Sequence, residues 1–155
     1  MTLTDEDFYR KHADGLIRMA TALVGPNNAE DVFSSAVLRV LNSRTWRRLD
    51  DDERRAYLCR SIMNEAKRWG RQAGRRQQRE SIYSAQRLLS ESMTEPEEIW
   101  AAVASLSVRQ RAVVFLTYYE DLDTAAVAKS LGISPGSVYQ HLNRARNALK
   151  EATHG

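Results

Sequence analysis

The sequence predicts an all-α protein made of two small helical domains joined by a flexible linker. Apolar residues recur every three or four positions along both halves of the 155-residue chain, which is the spacing of one helix face. Helix-capping residues precede several of these stretches, and glycine or proline often follows them. The hydrophobic fraction of 43% is sufficient for a packed core, and no stretch reaches the roughly 20 apolar residues that span a bilayer.

Three helices are predicted in the first domain, residues 1–70. Thr4 is placed to cap the first helix, and Gly25-Pro26 ends it. Asn28 is the predicted cap of the second helix, which would place the acidic residues after it in its positive first turn. The third helix is predicted from about residue 52 to residue 69. Three helices with short connections can bury one core.

A linker and a second, smaller helical domain follow. Glycine, glutamine, serine and proline residues mark residues 71–96 as a linker, and residues 97–155 form the second domain. Ser107 and Thr124 are predicted helix caps there. Gly132 suits a left-handed turn between two helices, and Ser134-Pro135 would begin the last helix. Residues 124–150 therefore have the form of a helix-turn-helix, although an ordinary antiparallel helix pair would share part of the pattern.

Charge is distributed unevenly along the chain. Residues 54–79 contain nine arginines and lysines against one glutamate, a net charge of +8, whereas residues 1–53 carry a net charge of −3. Such a basic segment suits a polyanion such as DNA, because neutralised phosphates release counterions. A solvated helix face is the alternative interpretation. Trp69, at the end of this segment, either stacks on a base or belongs to the core.

The sequence shows no sign of catalysis or of a bound cofactor. It lacks a phosphate-binding glycine loop, a nucleophile elbow and paired catalytic carboxylates with supporting context, and its three histidines lack a metal-ligand spacing. Cys59, the only cysteine, is predicted to be a buried structural thiol, with a redox switch as the alternative. The charged start of the chain, MTLTDEDFYRKH, is unlike a secretory signal, so we expect a cytoplasmic protein without membrane insertion.

The second domain resembles region 4 of the extracytoplasmic-function (ECF) bacterial sigma factors. The matching stretches are Leu106-Ser107-Val108-Arg109-Gln110-Arg111, Tyr118-Tyr119-Glu120-Asp121-Leu122, Leu131-Gly132-Ile133-Ser134 and Arg144-Ala145-Arg146. The first domain is similar to sigma region 2 in the order of its segments, which are Phe8 to Gly25, Ala29-Glu30-Asp31-Val32, Leu38-Arg39-Val40-Leu41 and Tyr57-Leu58 through Asn64. The resemblance covers most of the chain.

This resemblance implies a promoter-specificity subunit and not an enzyme. Such a protein binds core RNA polymerase, reads the −35 element with region 4 and opens DNA at the −10 element with region 2. It is expected to be a monomer when free. An anti-sigma factor that wedges between the two domains is a further expected partner, and a flexible linker would permit that capture.

The resemblance also assigns site residues. Contacts to the −35 element are expected at Ser137, Tyr139, Gln140, His141, Arg144 and Arg146. Contacts to the −10 element are expected at Arg60, Asn64, Lys67, Arg68 and Arg71. Core polymerase is expected to contact Asp31, Ser34, Ser35 and Arg39. Two assignments keep a structural alternative, since Asp31 could stabilise the helix dipole and Arg146 could pair within its own domain.

The sequence departs from the family pattern at both interfaces. Ser34 and Ser35 stand where the family commonly has a glutamine and an acidic residue, and Tyr139 and His141 stand where lysine and arginine are frequent. Two other functions therefore stay open. One is a helix-turn-helix regulator that binds operator DNA as a dimer, and the other is a sigma-like interaction protein that does not itself initiate transcription.

Overall fold

The computed structural model describes residues 4–77, 80 and 103–154 of the chain. The first half, residues 4–77, contains α1 (Asp5–Val24), α2 (Pro26–Leu41), a 3₁₀ turn (Trp46–Arg48) and α3 (Asp51–Gln72). The second half, residues 103–154, contains α4 (Val108–Val114), a π-helical segment (Phe115–Tyr119), α5 (Thr124–Leu131) and α6 (Pro135–His154). No strand occurs within these described ranges, in agreement with the predicted all-α class.

The predicted caps hold at three helices and are wrong at two. The Thr4 hydroxyl accepts a bond from the Asp7 amide, Ser107 forms a capping box, and Ser134 caps α6. Asn28 does not cap α2, because Pro26 already fits the first helical position and Gly25 makes the turn with a φ of 84°. The cap of α5 is Asp123 rather than Thr124, since the Asp123 carboxylate accepts a bond from the Ala126 amide.

The third helix is longer than predicted at both ends. Asp50 and Glu53 form a reciprocal capping box that begins α3 one residue earlier, and the helix continues through Gly70 to Gln72. The predicted linker, residues 71–96, otherwise falls largely on residues outside the described ranges, as does the beginning of the second domain. The boundaries of the two domains therefore remain a prediction.

One hydrophobic core runs through both halves. Leu23 and Ile62 of the first half belong to the same buried cluster as Val113 and Leu116 of the second half. Helix α3 packs against α1 and α2 on one side and against α4 and α5 on the other, and α1 also contacts α4. The sequence had predicted two domains able to move independently. In the structure, apolar side chains of the second half lie in the same buried cluster as those of the first half.

Candidate nucleic-acid interface

A helix-turn-helix is formed by α5, the turn at Gly132 and α6. Gly132 has a φ of 67°, a left-handed conformation in which a side chain is strained. Leu131 on one side of the turn and Val138 and Leu142 on the other are buried, so the two helices are fixed by packing. The opposite face of α6 is left open to solvent, as recognition of a DNA groove requires.

Most of the predicted −35 residues lie on that open face. Tyr139, Gln140 and Arg144 are exposed, and Tyr139 has 59% of its surface accessible. Ser137 is half-buried, and its hydroxyl accepts a hydrogen bond of 3.1 Å from the Ser134 hydroxyl, which leaves its lone pairs partly engaged. The exposed residues offer an aromatic ring, an amide and a guanidinium, which are groups suited to bases and phosphates.

His141 and Arg146 differ from the other −35 candidates. His141 is half-buried and its Nδ1 has no hydrogen-bond partner among the described residues. Burial lowers the pKa of His141, and the charges of Arg109, Arg144 and Lys67 lower it further, so the ring is held neutral. Arg146 donates a hydrogen bond of 3.1 Å to the Tyr118 hydroxyl, which favours the structural alternative for this arginine.

The predicted −10 residues divide into two groups on α3. Asn64, Arg68 and Arg71 are exposed and form no ion pair among the described residues, so they are available to DNA. Arg60 and Lys67 instead lie against the second half. The Arg60 guanidinium occupies the space where a side chain at Gly132 would stand, and Lys67 is half-buried. Burial, and then the charges of Arg109 and Arg71, lower the pKa of Lys67.

Three other residues of this segment do not face DNA. Arg54 is buried, and its Nε donates to the Trp46 carbonyl at 3.1 Å while its guanidinium lies 5.0 Å from the centre of the Trp46 ring. Arg55 pairs with Glu120 of the second half. Trp69 packs against the core, which favours the structural interpretation over base stacking. The +8 charge of the sequence therefore overstates the charge presented to DNA.

Helix α2 presents the candidate residues for polymerase binding. Asp31, Ser34 and Ser35 are exposed, and Asp31 makes no hydrogen bond or ion pair among the described residues. Because α2 begins at Pro26, Asp31 lies in its second turn and not in the positive first turn that the dipole interpretation needs. Arg39 has a structural role, since its guanidinium forms an ion pair with the buried Glu65 carboxylate of α3.

An apolar groove beside these residues was missed by the sequence analysis. It has a volume of about 590 Å³ and lies between α1 and α2. Tyr9, Phe33 and Leu38 are among its lining residues, and Leu38 is 63% exposed. A signal was present in the sequence, because Leu38 stands about 160° around the helix from Val40 and therefore off the stripe that Val40 belongs to.

The environment of Cys59 favours a structural thiol over a redox switch. The thiol is buried in the core, and burial raises its pKa to about 11 despite the opposing charge of Arg55. A redox switch needs an accessible thiol with a lowered pKa. Burial and a raised pKa therefore support the structural interpretation of Cys59.

The fold and these surfaces define a helical DNA-binding protein of the transcription apparatus. Residues 8–76 match the family model "Sigma-70 region 2", and residues 97–149 match the model "Sigma-70, region 4". The RNA polymerase sigma-E factor of Streptomyces coelicolor is 30% identical over 94% of this chain and 84% of its own length. The ECF RNA polymerase sigma factor SigL of Mycobacterium tuberculosis is 32% identical over 92% of this chain and 84% of its own length.

The chain belongs to the ECF family of RNA polymerase sigma factors. Its function is that of a promoter-specific sigma factor, an initiation factor for transcription. Family membership implies binding to core RNA polymerase and to promoter DNA. In the parts of the chain that the structure describes, no helix is long and apolar enough to cross a membrane.

Proposed function

We propose that three surfaces of this chain divide the work of promoter recognition. The open face of α6, with Tyr139, Gln140 and Arg144, reads the −35 element. The exposed side of α3, with Asn64, Arg68 and Arg71, holds DNA at the −10 element. The surface of α2 and the α1–α2 groove bind core polymerase. One observation carries the proposal. The chain presents two separate exposed helix faces, the face of α6 with Tyr139, Gln140 and Arg144 and the cationic face of α3.

The α2 surface has the chemistry expected of a polymerase contact. It combines an apolar groove containing Leu38 with the unpaired carboxylate of Asp31 and the hydroxyls of Ser34 and Ser35. An amphipathic partner helix can bury apolar side chains in such a groove and place a cation beside the carboxylate. Arg39 supports this surface indirectly, because its pair with Glu65 fixes α2 against α3.

Other properties follow from this proposal. The protein acts in the cytoplasm, where core polymerase and promoter DNA are found. It performs no chemistry of its own and is a monomer when it is not bound to polymerase. An anti-sigma factor would act by covering the α3 or α6 surface, which would remove the DNA contacts without unfolding the chain.

Run-off transcription tests the proposal directly. Purified Streptomyces core polymerase is incubated with randomised promoter fragments, with and without this protein, and transcripts are sequenced. Transcripts that require the protein, and that share two separated sequence elements, are the expected result. Tight binding to core polymerase without any transcript would favour the sigma-like interaction protein that does not initiate. Binding to DNA as a dimer in the absence of polymerase would favour the helix-turn-helix regulator.

Asp31→Ala is the sharpest variant for the polymerase contact. We expect it to weaken binding to core polymerase about tenfold, because a charged interfacial group is removed without touching a buried residue. Asp14→Ala is the matched control, since Asp14 is an exposed aspartate of α1 that does not line the groove. Binding is measured by biolayer interferometry on immobilised core polymerase. Equal affinity of the two folded variants would remove Asp31 from the interface.

A further inference from the structure

Basic side chains from three helices meet beside α4. Lys67 lies on α3, Arg109 near the beginning of α4, and His141 and Arg144 on α6. Helix α4 packs against both α3 and α6, which brings these side chains together. Burial lowers the pKa of Lys67 and of His141, and the charge of Arg109 lowers both further, as Arg144 and Lys67 do for His141. These four residues are called the three-helix cationic cluster below.

Two nitrogen atoms of the cluster, Arg109 Nε and His141 Nδ1, are buried and have no hydrogen-bond partner among the described residues. A buried polar atom without a partner destabilises a fold, so most such atoms are satisfied by protein, water or an ion. Arg109 Nε always carries its proton, so it can be satisfied only by an acceptor. His141 Nδ1 also donates when it carries a proton. An anion supplies acceptors to both.

Arg111, two residues further along α4, shows what Arg109 lacks. Arg111 is 3% exposed and donates two hydrogen bonds, from Nη1 to the Leu106 carbonyl at 2.6 Å and from Nη2 to the Leu23 carbonyl at 3.0 Å. Its Nε has no partner, but these two bonds engage the guanidinium. Arg109 makes no hydrogen bond and no ion pair in the part of the chain that the structure describes.

No carboxylate balances the cluster among the described residues. Every charge that acts on Lys67 or on His141 is positive. Arg55, which also lies between the two halves, does have a carboxylate partner, since its Nη2 lies 3.8 Å from the Glu120 Oε2. Like charges that converge in a partly buried place repel one another more strongly than they do in water. An anion would replace this repulsion by attraction.

The burial of the cluster favours a small anion over the backbone of a DNA duplex. Lys67, Arg109 and His141 are half-buried, and only Arg144 is exposed. A duplex lies along a protein surface and reaches exposed groups, whereas a small anion can enter between side chains of different helices. Phosphate oxygens suit guanidinium and ammonium donors, and a ligand with several phosphate groups can engage donors from all three helices.

We propose that the three-helix cationic cluster is a binding site for a small oligophosphate, meaning a free di- or triphosphate group such as a nucleotide carries. Lys67 and Arg109 hold phosphate oxygens through charge-assisted hydrogen bonds, His141 donates from Nδ1, and Arg144 covers the exposed side. Because the ligand binds the folded chain, it should also raise the free energy of unfolding. This inference goes beyond the proposed function and does not depend on it, since neither polymerase nor a promoter takes part.

Binding should be linked to protonation of His141. A bound oligophosphate offsets the positive charges around the ring and accepts a hydrogen bond from it, so the pKa of His141 should rise. A rise of about one unit makes the affinity about tenfold higher below the free-state pKa than above the bound-state pKa. Affinity should therefore fall as the pH rises.

Titration calorimetry with inorganic triphosphate tests the site in the full chain, in a buffer without phosphate or magnesium. We expect Arg109→Gln and Lys67→Gln each to weaken binding about tenfold. Arg18→Gln is the matched control, because Arg18 is an exposed arginine of α1 whose charge acts on neither Lys67 nor His141. It should leave the affinity within about twofold. Circular dichroism confirms that each variant is folded.

Histidine side-chain NMR reads the site itself. The pKa of His141 is measured with and without triphosphate, and we expect a rise of about one unit when the ligand is bound. His141→Gln identifies the resonance among the three histidines of the chain. The same variant separates the titration of His141 from that of the ligand, since it should retain only the pH dependence that the triphosphate itself contributes.

Three results would overturn the proposal. The first is no saturable binding of triphosphate. The second is equal affinity of the Arg109→Gln, Lys67→Gln and Arg18→Gln variants with an unchanged pKa of His141, which would mean that the anion binds elsewhere. The third is a loss of affinity for a mixed-sequence DNA duplex, but not for triphosphate, in Arg109→Gln. That result would assign the cluster to backbone phosphates of DNA.

Discussion

The buried guanidinium of Arg111 allows a quantitative prediction about what holds the two halves together. Each hydrogen bond from a charged donor contributes about 1.5–3 kcal/mol, so its two bonds to carbonyls contribute about 3–6 kcal/mol. Burial opposes this, because it lowers the pKa of Arg111 well below its ordinary value, to about 10. At about 1.4 kcal/mol for each pKa unit, the cost of burying the charge is about 3 kcal/mol.

Arg111→Met should therefore lower the free energy of unfolding by about 2 kcal/mol, since it removes the charge but leaves two carbonyls without a donor. With a slope of about 2 kcal/mol per molar urea, the midpoint of unfolding should fall by about 1 M. The assay is urea titration followed by circular dichroism. Arg109→Met is the matched control, because Arg109 lies two residues away and makes no hydrogen bond among the described residues. Equal midpoints for the two variants would refute the reasoning.

Two further predictions concern DNA binding and acid stability. Arg144→Ala should reduce the slope of log affinity against log salt concentration by about 0.9 in a titration with duplex DNA, as expected for the loss of one phosphate contact. Arg146→Ala should change this slope little, because the Arg146 side chain already donates a hydrogen bond to the Tyr118 hydroxyl. Burial raises the pKa of Asp51, but hydrogen bonds with His12 and Lys11 outweigh burial and the net direction is downward. The ionised Asp51 carboxylate therefore stabilises the fold above its unfolded-state pKa, and this stabilisation is lost as the pH falls through its folded-state pKa. Asp51→Asn should consequently make the free energy of unfolding decrease less steeply with falling pH below about pH 4.

The fold class and the helix-turn-helix could be predicted from the sequence because both depend on local signals. The periodic apolar residues, the αL glycine at Gly132 and the serine cap at Ser134 each act within one or two helical turns. The errors at Asn28 and Thr124 have the same origin. Asn28 stands three positions after the actual cap, Gly25, and Thr124 stands one position after Asp123. In both cases the turn geometry decided which residue caps the helix.

The contacts between the two halves could not be predicted in the same way, because they join residues far apart in sequence. Arg111 and Leu23 are 88 residues apart. Arginine in a basic chain is expected to be exposed, and no local pattern states which carbonyl will accept its hydrogen bonds. One weak signal exists, since Arg111 stands one helical turn before Phe115 and thus on a face that also carries a buried aromatic ring.

Helical position, rather than residue type, decides what each arginine of α3 does. Arg54 stands four residues before Leu58 and eight before Ile62, so it shares their buried face and is satisfied by the Trp46 carbonyl. Arg68 falls within about 40° of Arg54 around the helix axis but almost four turns further along, where it is exposed and available to phosphates. Arg60 lies between these two situations, since its guanidinium can cover Gly132 or reach solvent. A count of charges along the sequence treats these residues alike, whereas their places along α3 distinguish an arginine that stabilises the fold, one that is free for a DNA contact and one that can do either.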